Sequence, residues 1–101
     1  MQGAFEPLLE KLAPEVDQVY LHIDMDVHDP GEAPANHYNA PDGLWASEVR
    51  EAIALIGQHI RIAAGTLSSY DPSVDSTGKT AALAINVLES LISAGRTNHR
   101  D

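Results

Sequence analysis

An α/β layer built on parallel strands is the fold class this 101-residue sequence predicts, and three observations predict it. Segments of helical and strand-like character alternate in the order helix, strand, helix, strand, helix, which calls for crossover connections and parallel pairing. The two strand segments are short runs rich in apolar and β-branched residues, the pattern of strands covered by helices. Each is followed by a polar stretch, and in open α/β sheets ligands sit beyond the carboxyl ends of the strands. The polar loops after Asp24 and after Leu67 should therefore be neighbours.

Each element has a local reason. Phe5, Leu8, Leu9 and Leu12 recur at helical spacing, and Pro14 resists continuation. Gln18 to Ile23 packs Val19, Tyr20, Leu21 and Ile23 into a run that reads as a buried strand ending at Asp24. Met25 to Leu44 carries Pro30, Pro34 and Pro41 among Gly, Asn and Asp. Structureless connections of that length are uncommon in small domains and tend to be functional. Ser47 is the candidate cap of a second helix with Val49, Ile53, Ile56 and Ile60 on its period, ended by Gly57 and the next strand. Ile60 to Leu67 reads as the second strand, with Ile62, Ala64 and Thr66 in phase, and Ser68 to Gly78 as a polar turn. Thr80 to Ala94 reads as the third helix, with Leu83, Val87, Leu88 and Leu91 on one stripe and Gly95 at its stop. Residues 1–101 form one small unit, in which 96–101 reads as a flexible tail.

Composition narrows the chemistry. Hydrophobic residues at 44% with 21% charged describe an ordinary globular chain. No apolar run is long enough to span a bilayer. Met1 to Glu10 lacks a basic stretch followed by an apolar core, so no secretory signal is expected and a cytoplasmic location is the default. Six basic residues against fifteen acidic ones give a formal charge of −9, which repels phosphate backbones and anionic lipid, so neither nucleic acid nor membrane is an expected partner. The absence of cysteine excludes disulfides, thiolate catalysis and sulfur-bound zinc, leaving any metal to carboxylates and imidazoles, donors that suit manganese or magnesium.

His22, Asp24 and Asp26 alternate, so a strand persisting through all three would send their side chains from one face. Two carboxylates that close are costly to ionise without an offsetting cation, and a divalent metal is the simplest offset. Acids at strand ends also cap helices and stabilise turns, and that alternative stands beside the metal. His28 and Asp29 fall where the chain turns and are expected to shape the loop. His37, His59 and His99 have no partner at ligand spacing and are expected in solvated or loop positions.

The run Ile23-Asp24-Met25-Asp26, followed by Asp29-Pro30, Pro34-Ala35 and Gly43-Leu44, resembles the last signature of the arginase, agmatinase and formimidoylglutamase family. The resemblance continues through Glu48, Tyr70-Asp71-Pro72, Asp75 and Thr80-Ala81, covering about Val19 to Leu91. It implies a three-layer α/β/α fold of which this chain would be the carboxyl-terminal part. It also implies two manganese ions that activate water for attack on a guanidinium or related amidine carbon. By the same resemblance Asp24 would bridge both ions and Asp26 would bind one, the substrate would be a guanidino or other linear amidine compound, and the full-length protein would be a homo-oligomer. The alternative is a non-catalytic, arginase-like binding or regulatory module. Three departures from the family pattern stand out. His22 occupies a position where a small hydroxyl residue is usual. Ser69 stands where the family's guanidinium-gripping glutamate lies, three residues before the proline. The family's other metal ligands and its proton-shuttle histidine have no counterpart here, so no residue is assigned a catalytic role.

Overall fold

Tyr20, His22 and Asp24 alternate with Val19, Leu21 and Ile23, and this period of two divides the first strand into an open face and a core face. The computed structural model describes residues 2–29, 31–33 and 43–97. Within it run α1 (Gln2–Leu12), β1 (Gln18–Asp24), α2 (Ala46–His59), β2 (Arg61–Ser68) and α3 (Lys79–Thr97), with short 3-10 turns at Ala13–Glu15, Met25–Val27 and Pro72–Val74. Pro30, Pro34, Ala35, Pro41, His37 and His99 lie outside the described residues.

The expected parallel pairing is present: β1 runs alongside β2 from Gln18↔Arg61 to Asp24↔Ser68. The register slips between Val19 and Tyr20, because Val19 pairs with Ile62 and Tyr20 with Ala64. Ala63 is therefore the extra residue of a bulge, and it changes the phase of the strand. Ile62 faces the core, and beyond the bulge Gly65 and Leu67 do so too. Thr66, in phase with Ile62 by sequence, is turned to the open face. Gly65 confirms the direction, since a side chain there would meet Leu91 at 3.3 Å.

The main core joins Val49 and Ile53 of α2, Ile62 of β2 and Val87, Leu91 and Ala94 of α3, with Val19, Leu21, Ile23 and Leu67 packed against it. Burying each such side chain stabilises by about 1.5–3 kcal/mol. A second cluster seats α1 on α2 through Leu9, Leu55 and Ile60, with Phe5 and Ile56 beside them. The described residues thus form two layers, a two-stranded sheet and helices over its core face. β1 is half-buried where full burial was expected, and Tyr20 is 61% exposed.

Several boundaries differ from the sequence expectation for physical reasons. α2 continues through Gly57 because this glycine marks the closest approach to α3: a Cβ there would lie 2.7 Å from the Cβ of Ala94. α3 passes Gly95 and takes in Arg96 and Thr97, two residues expected in the tail. Its buried stripe is Val87, Leu91 and Ala94, whereas Leu88 is 41% exposed. α2 begins at Ala46, and carboxylates serve its first turn in place of Ser47. Glu48 accepts from the Trp45 backbone N–H at 2.9 Å, and Glu32 accepts from the Ala46 N–H at 2.7 Å. Acids at a helix amino terminus satisfy open N–H groups and complement the dipole.

The long segment after β1 is closed at its neck. Leu44 N–H donates to the Val27 carbonyl and Asp29 N–H to the Leu44 carbonyl, both at 2.8 Å. Gly43 lies against this junction: a Cβ there would sit 2.7 Å from the Asp29 nitrogen and 2.8 Å from the Val27 oxygen and the His28 carbonyl carbon. Those neighbours are backbone and cannot rotate away.

The start of α3 is held by Asp75, which is buried. Its carboxylate accepts from the Thr80 and Ala81 N–H groups, each at 3.0 Å, and from the Tyr70 hydroxyl at 2.7 Å. The Thr80 N–H, followed by the Tyr70 hydroxyl, holds the Asp75 carboxyl below its ordinary range. In return the hydrogen bond to Asp75 pushes the Tyr70 hydroxyl up.

Two outcomes follow for stability. Gly43→Ala should destabilise the fold by about 1–3 kcal/mol through overpacking against fixed backbone. Gly3→Ala, with nothing within 4 Å, should be neutral or stabilising by up to about 1 kcal/mol; urea unfolding followed by circular dichroism compares them. A carboxyl held low in the folded state stabilises fully above its unfolded value of about 3.9 and loses that contribution as the pH falls through the folded value. Asp75→Asn should therefore lower the urea midpoint at pH 7, with the gap to the parent chain closing below about pH 4. A gap independent of pH would contradict the role of the charge.

Candidate metal centre

Asp24 is the last residue of β1, exposed on the open face opposite Ser68 of β2. The strand ends there, so Asp26 does not continue the alternation expected for it. It lies in the 3-10 turn Met25–Val27, and its backbone N–H donates to Asp24 Oδ1 at 2.8 Å. Met25, fully buried, anchors the turn, and His28 N–H closes it on the Met25 carbonyl at 3.2 Å. The turn thus places the two carboxylates one after the other at the carboxyl end of the sheet. Asp24 also fills the turn-stabilising role weighed against metal binding, and one of its oxygens is engaged in doing so.

The donors fit a hard divalent ion in kind, since both are carboxylates. They fall short in number. Among the described residues no three or more His, Asp or Glu side chains are grouped so as to hold a metal. Two aspartates amount to part of a binuclear site.

His22 shares the open face with Asp24 but is committed to hydroxyl groups. Its Nδ1 lies 2.9 Å from Thr66 Oγ1 and its Nε2 3.0 Å from Ser68 Oγ. Tyr20 hydroxyl donates to the same Thr66 oxygen at 3.0 Å, and Ser68 Oγ lies 3.5 Å from Ser69 Oγ. Ser69 has a backbone φ of 68°, left-handed and uncommon for a residue with a side chain. Sequence reasoning missed Thr66 and Ser68 because their facing depends on the bulge at Ala63. The available signal was their alternation in β2 opposite His22 and Asp24.

The other expectations sort cleanly. His28 shapes the loop, as expected: it is fully buried and its Nδ1 donates to the Met25 carbonyl at 3.1 Å. Asp29 does the same, its Oδ1 accepting from Gly31 N–H at 2.8 Å. His59, expected in a solvated position, instead ties α2 to α1 through Glu6, with Nε2 donating to Oε2 at 3.0 Å.

Comparison with known proteins agrees with this geometry. Residues 1–93 match the model of the arginase family. The formimidoylglutamase of Bacillus subtilis (strain 168) is 31% identical over 86 residues, which are 81% of this chain and 27% of that protein. The crystal structure of formimidoylglutamase from Bacillus subtilis subsp. subtilis str. 168 superposes with a TM-score of 0.84 at 26% identity, over 96% of this chain and 30% of that one. Proclavaminate amidino hydrolase from Streptomyces clavuligerus superposes with a TM-score of 0.81 at 26% identity, over 97% of this chain and 34% of that one. Arginase from Bacillus caldovelox, at 24% identity and a TM-score of 0.80, shares the fold over 99% of this chain and 31% of its own. The chain therefore spans about a third or less of the length of these relatives. With the signature around Asp24 and Asp26 at the carboxyl end of a parallel strand, the match of 93 residues settles its affiliation: the chain belongs to the arginase family.

Proposed function

We propose that this chain contributes the Asp24–Asp26 carboxylates to a manganese-dependent hydrolase that cleaves carbon–nitrogen bonds of linear amidine-type compounds. The observation that carries the reading is the placement of both aspartates in one tight turn beyond β1, where open α/β sheets hold their ligands. The amidino hydrolase and formimidoylglutamase among its relatives support the same bond type.

Asp24 would bridge two manganese ions and Asp26 would bind one, with further ligands coming from residues outside those described. Bound manganese supplies Lewis-acid polarisation and a water of lowered pKa. This chain's own contribution is to hold the carboxylates in place. The Asp26 N–H fixes the Asp24 carboxylate, and buried Met25 fixes the turn that carries Asp26. Ser69, in place of the family's glutamate, removes the charge-assisted pair that a guanidinium requires, so free arginine is expected to be a poor substrate.

A second reading, a non-catalytic binding or regulatory module, is favoured by the small number of grouped ligands among the described residues. Calorimetric titration of the chain with manganese separates the two, because tight stoichiometric binding argues against a remnant.

In the full-length protein, Asp24→Asn and Asp26→Asn should each lower manganese-dependent release of urea or ammonia from a panel of guanidino and amidine compounds by at least about a hundredfold. Turnover surviving in both variants, or undiminished by chelation of manganese, would rule the hydrolase reading out.

A further inference from the structure

Tyr20, Thr66, His22, Ser68 and Ser69 form a continuous line of polar side chains across the open face of the sheet, ending beside the Asp24 turn. Tyr20 donates to Thr66 Oγ1, so that oxygen already accepts one hydrogen bond. Thr66 keeps its own proton within reach of His22 Nδ1 at 2.9 Å. If Thr66 donates there, the neutral imidazole carries its proton on Nε2 and donates to Ser68 Oγ at 3.0 Å. The Ser68 hydroxyl then has its own proton left to donate. Its next neighbour, Ser69 Oγ, stands at 3.5 Å, too long for a good O–H···O bond. This arrangement uses every donor once. The reverse orientation would give Thr66 two incoming protons, from Tyr20 and His22, and spend the Ser68 proton on the imidazole.

We propose that this line is a one-way hydrogen-bond relay that leaves Ser68, next to Ser69, presenting a donor hydroxyl at the mouth of the site. The edge would thereby select an uncharged ureido-type substrate, whose carbonyl oxygen accepts a hydrogen bond, over its guanidino counterpart. The inference rests on the hydrolase reading and narrows its substrate class. A guanidinium offers only N–H donors. Against donor hydroxyls, with no carboxylate to receive it, such a group leaves polar atoms unpaired on both sides. Sites built to hydrogen-bond one substrate group discriminate strongly against an analogue lacking it. The hydroxyls at Ser68 and Ser69 and the imidazole at His22 belong to one device: the imidazole in β1 orients the serine that follows β2, and the two departures from the family pattern, His22 and Ser69, meet at its two ends.

Two measurements test this. Nitrogen-15 NMR of the chain at pH 8 should find the neutral His22 ring in the Nε2–H tautomer, and Thr66→Val should shift it toward a mixture; a dominant Nδ1–H tautomer in the parent chain would overturn the relay. In the full-length protein with manganese, matched pairs differing only in a carbamoyl or guanidino group should show at least about a tenfold preference for the carbamoyl member, reversed by Ser69→Glu. A guanidino preference in the parent protein overturns the inference and leaves the hydrolase reading standing. If neither member is hydrolysed, the hydrolase reading falls, and the inference is decided by the tautomer and by which member of the pair moves the Ser69 amide resonance.

Discussion

The parallel pairing of β1 with β2, with its bulge at Ala63, is the constraint on which the rest of the structure depends. It brings Asp24 opposite Ser68, so that the segments leaving both strands start from one edge. It also sorts the side chains. Val19, Leu21, Ile23, Ile62 and Leu67 face α2 and α3, and Tyr20, His22, Thr66 and Ser68 face away. A one-residue slip in a strand exchanges its faces. Without the bulge, Thr66 would point at the core beside Ile62, and the imidazole of His22 would have no hydroxyl partner across the sheet.

Around that pairing, short-range devices hold the segments at the carboxyl edge. The Val27–Leu44–Asp29 backbone bonds close the neck of the long connection, and Gly43 permits the approach. Glu32 reaches from that connection to the first turn of α2. Asp75 does the equivalent for α3, accepting two backbone N–H groups and the Tyr70 hydroxyl. These carboxylates lie at helix amino termini, where the negative charge of an acidic chain is stabilising. The same chain leaves Tyr20, Ile85 and Ile92 each about 60% exposed. Its relatives are about three times as long.

Much of this was legible in the sequence because periodicity reports burial directly. Leu9, Ile53 and Val87 mark their helices, Val19 to Ile23 marks the strand, and the Asp-x-Asp at its end marks the site. The remainder depended on contacts between distant residues. Gly57 reads as a helix end until Ala94 is known to lie against it, and Gly95 reads as a stop where α3 continues. Ser47 has the composition of a cap, but Glu48 and Glu32 act there, the latter from fourteen residues away. The bulge that turns Thr66 outward leaves no mark in the strand's composition. Asp26 was placed on the strand face because alternation was extended one residue too far, past the point where Asp24 accepts its N–H and the chain turns.

The central claim is that the Asp24–Asp26 turn is a manganese ligand pair, beyond its part in closing the chain. Paramagnetic broadening tests it directly, since manganese at a small fraction of the protein concentration broadens amide resonances near its site. Titrated into nitrogen-15-labelled protein, the ion should first broaden the amides of residues 24–26 and of Ser68 across the sheet. Broadening that begins elsewhere and spares these residues would contradict the account.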